Sequence, residues 1–264
     1  RSSIMPDQII KFEDGAVYEQ LMGIWSQSVG LEFLEWLAPM DDQHWIDIGC
    51  GNGAFTEQII RNCSPSKIQG IDPSDAQINF AKNRLEGQLA SFQTGDAMEL
   101  PFDPNQFDVA TMALALFFVP EPMRGVQEMS RVVRTGGLVT AYVWDIFGGG
   151  FPLEPIHAEM RTMDIKHIIP ISAEVSRLEN LENLWVDLGL KSVETCVITV
   201  ERTFTSFSSF WDVALHSGTL KTVFEKLEKA TKEDIKNATM ASLKVGDEEQ
   251  FTLKAHANAI KGIV

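Results

Sequence analysis

Cations are scarce in this 264-residue sequence, where 22 lysines and arginines face 37 aspartates and glutamates for a formal charge of −15. Nucleic acid and anionic membranes demand a basic face, so neither is an expected partner, and a small molecule or a protein remains. Cysteine is equally sparse. Cys50, Cys63 and Cys196 are odd in number and far apart, which provides neither a disulfide framework nor the spacing of a zinc site. No metal is therefore expected, and a reducing, cytoplasmic setting fits. No apolar run reaches the roughly 20 residues of a membrane span, and no signal peptide is recognisable. The opening Arg1-Ser2-Ser3 lacks a methionine, so the natural start is expected upstream. No repeat, low-complexity tract or linker divides the chain, and its length suits one α/β domain with a sizeable core.

What is present centres on residues 45–60. Trp45, Ile46 and Ile48 suit a buried strand, and Gly49, Gly51 and Gly53 let the backbone turn sharply and approach a ligand. A helix starting near Ala54 aims unpaired N–H groups and its positive dipole end at that turn, which favours a ligand carrying carboxylate or phosphate. Gly49, Gly51 and Ala54 also satisfy the dinucleotide fingerprint, so the turn alone leaves two cofactor classes open. Asp47, two residues before the first glycine, is the feature that a dinucleotide site does not need.

Two more acids follow in the same kind of place. Lys67 to Asp72 reads as a second short strand ending in a carboxylate, about 20 residues beyond the glycines, where it can accept both hydroxyls of a ribose. Ser74 and Gln77 have capping-box form and open a helix whose Ile78, Ala81 and Leu85 face the sheet. A third strand near Ala90 leads into Gly95-Asp96-Ala97-Met98-Glu99-Leu100-Pro101-Phe102, rich in turn formers. Asp47, Asp72 and Asp96 thus each stand at the end of a successive strand, which chance does not readily produce.

Taken together, the chain resembles the class I S-adenosylmethionine-dependent methyltransferases of the small-molecule, UbiE-like type over nearly all of its length, with the family motifs carried by residues 45–145. The resemblance implies a Rossmann-like seven-stranded sheet, mostly parallel with an antiparallel last strand, helices on both faces, and helical cap segments. It further implies S-adenosyl-L-methionine as cofactor. By resemblance, Asp47 helps hold the ammonium of the methionine moiety, and Gly49, Cys50, Gly51, Asn52 and Gly53 pass beside the cofactor. Asp72, Pro73 and Ser74 belong to the ribose end, and Gln77 to the adenine. Asp96 accepts the exocyclic amine of adenine while the N–H of Ala97 bonds a ring nitrogen, with Gly95 and Met98 flanking them. Met112 and Ala113, on a later strand, complete the expected cofactor contacts.

The rest of the chain falls into place around this centre. Leu21, Trp25, Val29, Phe33, Leu34 and Leu37 recur at helical spacing, and Tyr18 to Ser26 resembles an N-terminal gate in which Tyr18 and Trp25 reach the cofactor; core packing is an equal reading for Trp25. Ile24 stands where relatives often carry arginine. Phe107 to Val119 is an apolar run expected to be a central buried strand, Pro122 opens a helix through Val133, and Arg134 to Gly137 turns into a fifth strand, Leu138 to Trp144. The expected boundaries are gate helices over 1–40, a cofactor-binding core over 41–145, an inserted cap over 146–180, and a C-terminal half over 181–264 with a second cap and two closing strands. Phe117, Trp144, His157 and Trp211 are the candidate walls of an acceptor pocket.

The activity implied is methyl transfer to a small-molecule acceptor, achieved mainly by alignment and desolvation because the sulfonium already makes the methyl electrophilic. No catalytic side chain is assigned; His157 and His216 are the candidate bases. Two alternatives stand beside this reading. A nicotinamide-dependent oxidoreductase leaves Asp47 and residues 95–102 without a role, and a non-catalytic cofactor-binding protein shares the scaffold without the chemistry.

Overall fold

The computed structural model describes residues 22–264, so the expected contact from Tyr18 lies outside the described residues. Helix α1 (Ile24–Leu37) buries Trp25, Val29, Phe33 and Leu37 on one face, and Ala38 ends it in the left-handed conformation ahead of Pro39. Then come β1 (His44–Ile48), α2 (Ala54–Cys63), β2 (Lys67–Asp72), α3 (Asp75–Arg84), β3 (Ala90–Thr94) and β4 (Phe107–Ala113). Helix α4 (Pro122–Val132), β5 (Val133–Trp144), α5 (Glu154–Thr162), α6 (Leu178–Asp187) and β6 (Lys191–Phe204) come next. Helices α7 (Phe207–Leu215), α8 (Gly218–Phe224) and α9 (Lys229–Leu243) precede the closing strand β7 (Phe251–Ile263).

The seven strands form one sheet in the order β3-β2-β1-β4-β5-β7-β6. Neighbours from β3 to β5 pair in parallel, and β7 runs antiparallel to both β5 and β6, so the expected architecture is the observed one. β1 and β4 are buried on both faces, as central parallel strands must be, which is why their sequences are almost continuously apolar. The chain runs outward from β1 to β3 and then returns to the far side of β1 with β4. That reversal creates a crevice at the carboxyl ends of β1 and β4, where open α/β sheets bind ligands.

Two insertions crown this edge. The pairing of β6 with β7 continues to Phe204 and Phe251, whereas β5 meets β7 only as far as Trp144 and Ala257. The β6–β7 hairpin therefore overshoots β5 by the six residues Phe251 to His256, roughly 20 Å at about 3.3 Å per residue. It carries α7, α8 and α9 at its tip, and α9 packs against α5 of the first insertion. Aromatic contacts among Phe204, Phe207, Phe210, Trp211, Phe224 and Phe251 hold the tip together. No described helix is long and apolar enough to cross a membrane.

Two expectations need correction. The apolar run from Phe107 does not continue as strand to Val119: it leaves the sheet after Ala113, with Leu114 in the left-handed region at φ 53° and a 3₁₀ turn over Leu116–Phe118. Hydrophobicity reports burial there, and burial is common to both conformations. The Arg134–Gly137 segment, expected to be a turn, stays within β5 as an irregularity in its pairing with β4, with Gly136 at φ 83° and its N–H bonded to the carbonyl of Val264.

Candidate functional site

A cleft of about 750 Å³ opens at the crevice, in the upper half of the range of small-molecule sites. Its floor is the glycine turn after β1. The N–H groups of Gly49 and Cys50 bond the carbonyl of Ile71, and the N–H of Gly51 bonds Asp72 Oδ2 at 2.9 Å, so the turn is strapped to the end of β2. Gly51 sits at φ 53° on the cleft wall, and a Cβ added there would meet no protein atom within 4 Å. Its missing side chain is thus room for a ligand. Gly53 is different: its Cβ would press on Ala81 of α3, and the residue does not line the cleft. It serves the close approach of α2 to α3.

Asp47 at the end of β1 is fully buried, takes one hydrogen bond from Thr56 Oγ1 at 2.7 Å, and leaves Oδ1 without a partner among the described residues. Burial pushes its carboxyl up to about 7, opposed by the Thr56 bond and aided by the negative charge of Asp72. Asp72 is itself raised by burial, with the N–H groups of Ser74 and Gly51 acting in the opposite sense. Gln77, on the first turn of α3, is buried on the cleft wall with Oε1 unpartnered among the described residues. Ser74 caps that helix, accepting from the N–H of Gln77, and Asp96 accepts from the N–H of Met98 at 2.8 Å. One wall of the cleft therefore offers buried acceptors that are short of donors.

The structure brings most of the expected residues together. Asp47, Gly49, Cys50, Gly51 and Asn52 line the cleft with Asp72, Pro73, Ser74 and Gln77, as do Gly95, Asp96, Ala97, Met112 and Ala113. Met98, Gly53 and Trp25 do not; Trp25 is buried in the core against a separate small cavity. None of the four expected acceptor walls reaches the cleft. Phe117 is buried behind the 3₁₀ turn, Trp144 is locked in the sheet opposite Ala257, Trp211 packs on Phe207 and Phe224, and His157 lies stacked between Phe151 and His167. Burial drives His157 down to about 3, so it is neutral. In place of Phe117 the turn presents Phe118, with Leu114, Ala115, Val119 and Pro120, and the first insertion contributes Ile169 and Ile171. The exchange falls where the chain leaves β4 through a left-handed Leu114 and a 3₁₀ turn, and no sequence signal marks a leucine for that conformation.

Comparison with known proteins agrees with this architecture. Residues 46–141 match the family described as "Methyltransferase domain". The chain is 29% identical over 143 residues to a demethylmenaquinone methyltransferase of Staphylococcus aureus, a match covering 53% of this chain and 57% of that protein, so it spans little more than half the length of such curated relatives. The YcgJ protein of Bacillus subtilis superposes with a TM-score of 0.58 at 15% identity, covering 89% of this chain and 97% of that one. Phosphoethanolamine N-methyltransferase 2 of Haemonchus contortus, solved with S-adenosyl-L-methionine, superposes with a TM-score of 0.57 at 18% identity, covering 98% and 61%. At these identities the two structures speak for the fold.

The uncompensated Asp47 carries a stability cost with a definite sign. Its folded carboxyl lies near 7, above the value of an unfolded aspartate, so the contribution to stability is complete below about pH 4 and is lost as pH rises towards and through 7. Asp47→Asn keeps an acceptor for Thr56 and removes the charge. The ligand-free variant should be more stable than the parent, by about 2–4 kcal/mol at pH 8 and by about 1–2 kcal/mol less at pH 5.5. Denaturant unfolding at both pH values measures this, and an equal gap at the two would show that Asp47 does not titrate in this range.

Proposed function

Because the chain belongs to the class I S-adenosylmethionine-dependent methyltransferases, we propose that it transfers the methyl group of S-adenosylmethionine to a small-molecule acceptor in this cleft. The observation that carries the reading is Asp47, a buried carboxylate oxygen without a described partner, on the wall of a cavity. Such a group calls for a cation. The ammonium of a methionine moiety meets that need, whereas the pyrophosphate of a nicotinamide dinucleotide would bring like charge to the same turn. The relative from Staphylococcus aureus is named for action on demethylmenaquinone, which supports an acceptor of small-molecule size.

The residues present fit the cofactor. Each oxygen of Asp72 takes one backbone N–H, from Gly51 and from Ser74, and retains a lone pair for a ribose hydroxyl. Gly51 leaves space beside the turn, Gln77 brings an unpartnered acceptor, and Asp96 with Ala97 would hold the adenine edge. When bound, S-adenosylmethionine would supply a methyl carbon made electrophilic by its sulfonium, for attack by an acceptor lone pair. The chain's own task is to align that lone pair and exclude water. Among the described residues the cleft is lined by no histidine, lysine or arginine, and its three carboxylates belong to the cofactor end. Alignment and desolvation are then the chief means of catalysis in this reading, with the Tyr142 hydroxyl and the buried Cys50 thiol the remaining titratable groups on the described wall.

Calorimetric titration provides the first test: S-adenosylhomocysteine should bind in the micromolar range while NADH and NADPH give no heat, and the reverse would overturn the assignment. Affinity for S-adenosylhomocysteine should rise as pH increases from 6 to 8, because a cation beside Asp47 favours its ionised form, and Asp47→Asn should flatten that profile. Asp72→Ala should weaken binding by roughly 2–4 kcal/mol with little change in melting temperature, since it removes charge-assisted bonds to the ribose. Replacing His157 by Gln or His216 by Ala should cost turnover far less than the roughly 10²–10⁴-fold of a lost general base. A thousandfold loss for either, with both ligands still bound, would identify a base after all.

A further inference from the structure

The cleft is divided along the strand order of the sheet. Over β1, β2 and β3 its walls are polar and acidic, with Asp47, Asp72 and Asp96. Beyond the end of β4 its walls are mostly apolar, formed by Leu114, Ala115, Phe118, Val119, Ile169 and Ile171, with Tyr142 of β5 as an uncharged polar group and no cation among the described residues. The last two are unusual for their chemistry: Ile169 is 39% exposed and Ile171 is 71% exposed, although both line the cleft. Their segment is not adrift. Ser172 donates its N–H to the carbonyl of Phe117 at 2.9 Å and its hydroxyl to the carbonyl of Val119 at 2.6 Å, which fixes the isoleucines opposite the 3₁₀ turn.

We propose that this half of the cleft is the acceptor subsite, that it takes a neutral, apolar molecule, and that Ile171 at its mouth is a specificity-determining residue. The inference rests on the methyltransferase reading and deepens it. An anionic acceptor would enter a region of apolar walls without a counter-charge and with three carboxylates at the other end, so its desolvation would go uncompensated. A neutral apolar acceptor gains from every wall it covers, and it removes Ile171 from water as it binds. The exposure of two anchored isoleucines is then the open form of a wall that the ligand itself completes.

A matched pair of probes tests this. N-Phenyl-1-naphthylamine is neutral and fluoresces in apolar surroundings, and 1-anilinonaphthalene-8-sulfonate is the same skeleton carrying one anion. With the protein saturated by S-adenosylhomocysteine, the neutral probe should bind at least tenfold more tightly than the sulfonate. Ile171→Asp should weaken the neutral probe at least fivefold while S-adenosylhomocysteine affinity and melting temperature stay at parent values, because the side chain is exposed. Ile171→Lys should narrow the gap by strengthening the sulfonate. Equal binding of the two probes to the parent, indifference of the neutral probe to Ile171→Asp, or its displacement by S-adenosylhomocysteine would each overturn the proposal. Failure of S-adenosylhomocysteine to bind would instead overturn the methyltransferase reading, and the probe pair on the ligand-free protein would still decide the character of this subsite.

Discussion

A carboxylate buried without a counter-charge is the constraint around which this molecule is arranged. Asp47 stands at the end of the central strand, under the glycine turn, and burial holds its proton on at pH values where an exposed aspartate is ionised. Its hydrogen bond from Thr56 satisfies one oxygen and leaves the other for a guest. Folding alone would favour an amide or an apolar side chain there, and a cationic ligand, as proposed above, would offset the cost of ionising it. The turn above it is held by bonds to Ile71 and Asp72, so the second carboxylate serves as a strut for the loop.

The order of strands converts that local arrangement into a cleft with two unlike sides. Because β1 is flanked by β2 on one side and β4 on the other, acids at the ends of β1, β2 and the segment after β3 gather on one side of the crevice. The chain leaving β4 falls on the other side, and there it supplies apolar residues. The proposed cofactor, with its charged and hydroxylated end, would be oriented along the sheet by this division of the walls. Such orientation contributes much of what an enzyme needs when the group to be transferred is already activated.

The helical insertions act mostly as support. The second one, built on the overshooting β6–β7 hairpin, is cemented by an aromatic cluster and contributes no described residue to the cleft wall. It packs through α9 on α5 of the first insertion. The first insertion in turn reaches the cleft through Ile169 and Ile171, held to the 3₁₀ turn by Ser172. The histidine pair His157 and His167 lies within this support, stacked and low in proton affinity through burial, consistent with packing in place of proton transfer.

Local chemistry made the cofactor half of the site legible from sequence. Positive backbone angles demanded glycine at 49 and 51, a helix start demanded a cap at Ser74, and acids at strand ends left their mark at 47, 72 and 96. Alternating and continuous apolar patterns likewise carried the strands, since burial on both faces is a property of each strand separately, while their arrangement in one sheet came from the family resemblance. The acceptor half was not legible. Phe117, Trp144, His157 and Trp211 are large, apolar or aromatic and close in sequence to the right loops, yet composition cannot separate a core aromatic from a pocket aromatic. That choice fell to the turn after β4, where Phe118 lines the cleft and Phe117 is buried, and to the pairing of Trp144 with a strand more than a hundred residues away. Sequence by itself determined the elements and the residues whose chemistry is local, and tertiary structure decided which side chains face the cleft, because that depends on contacts between segments that no local pattern records.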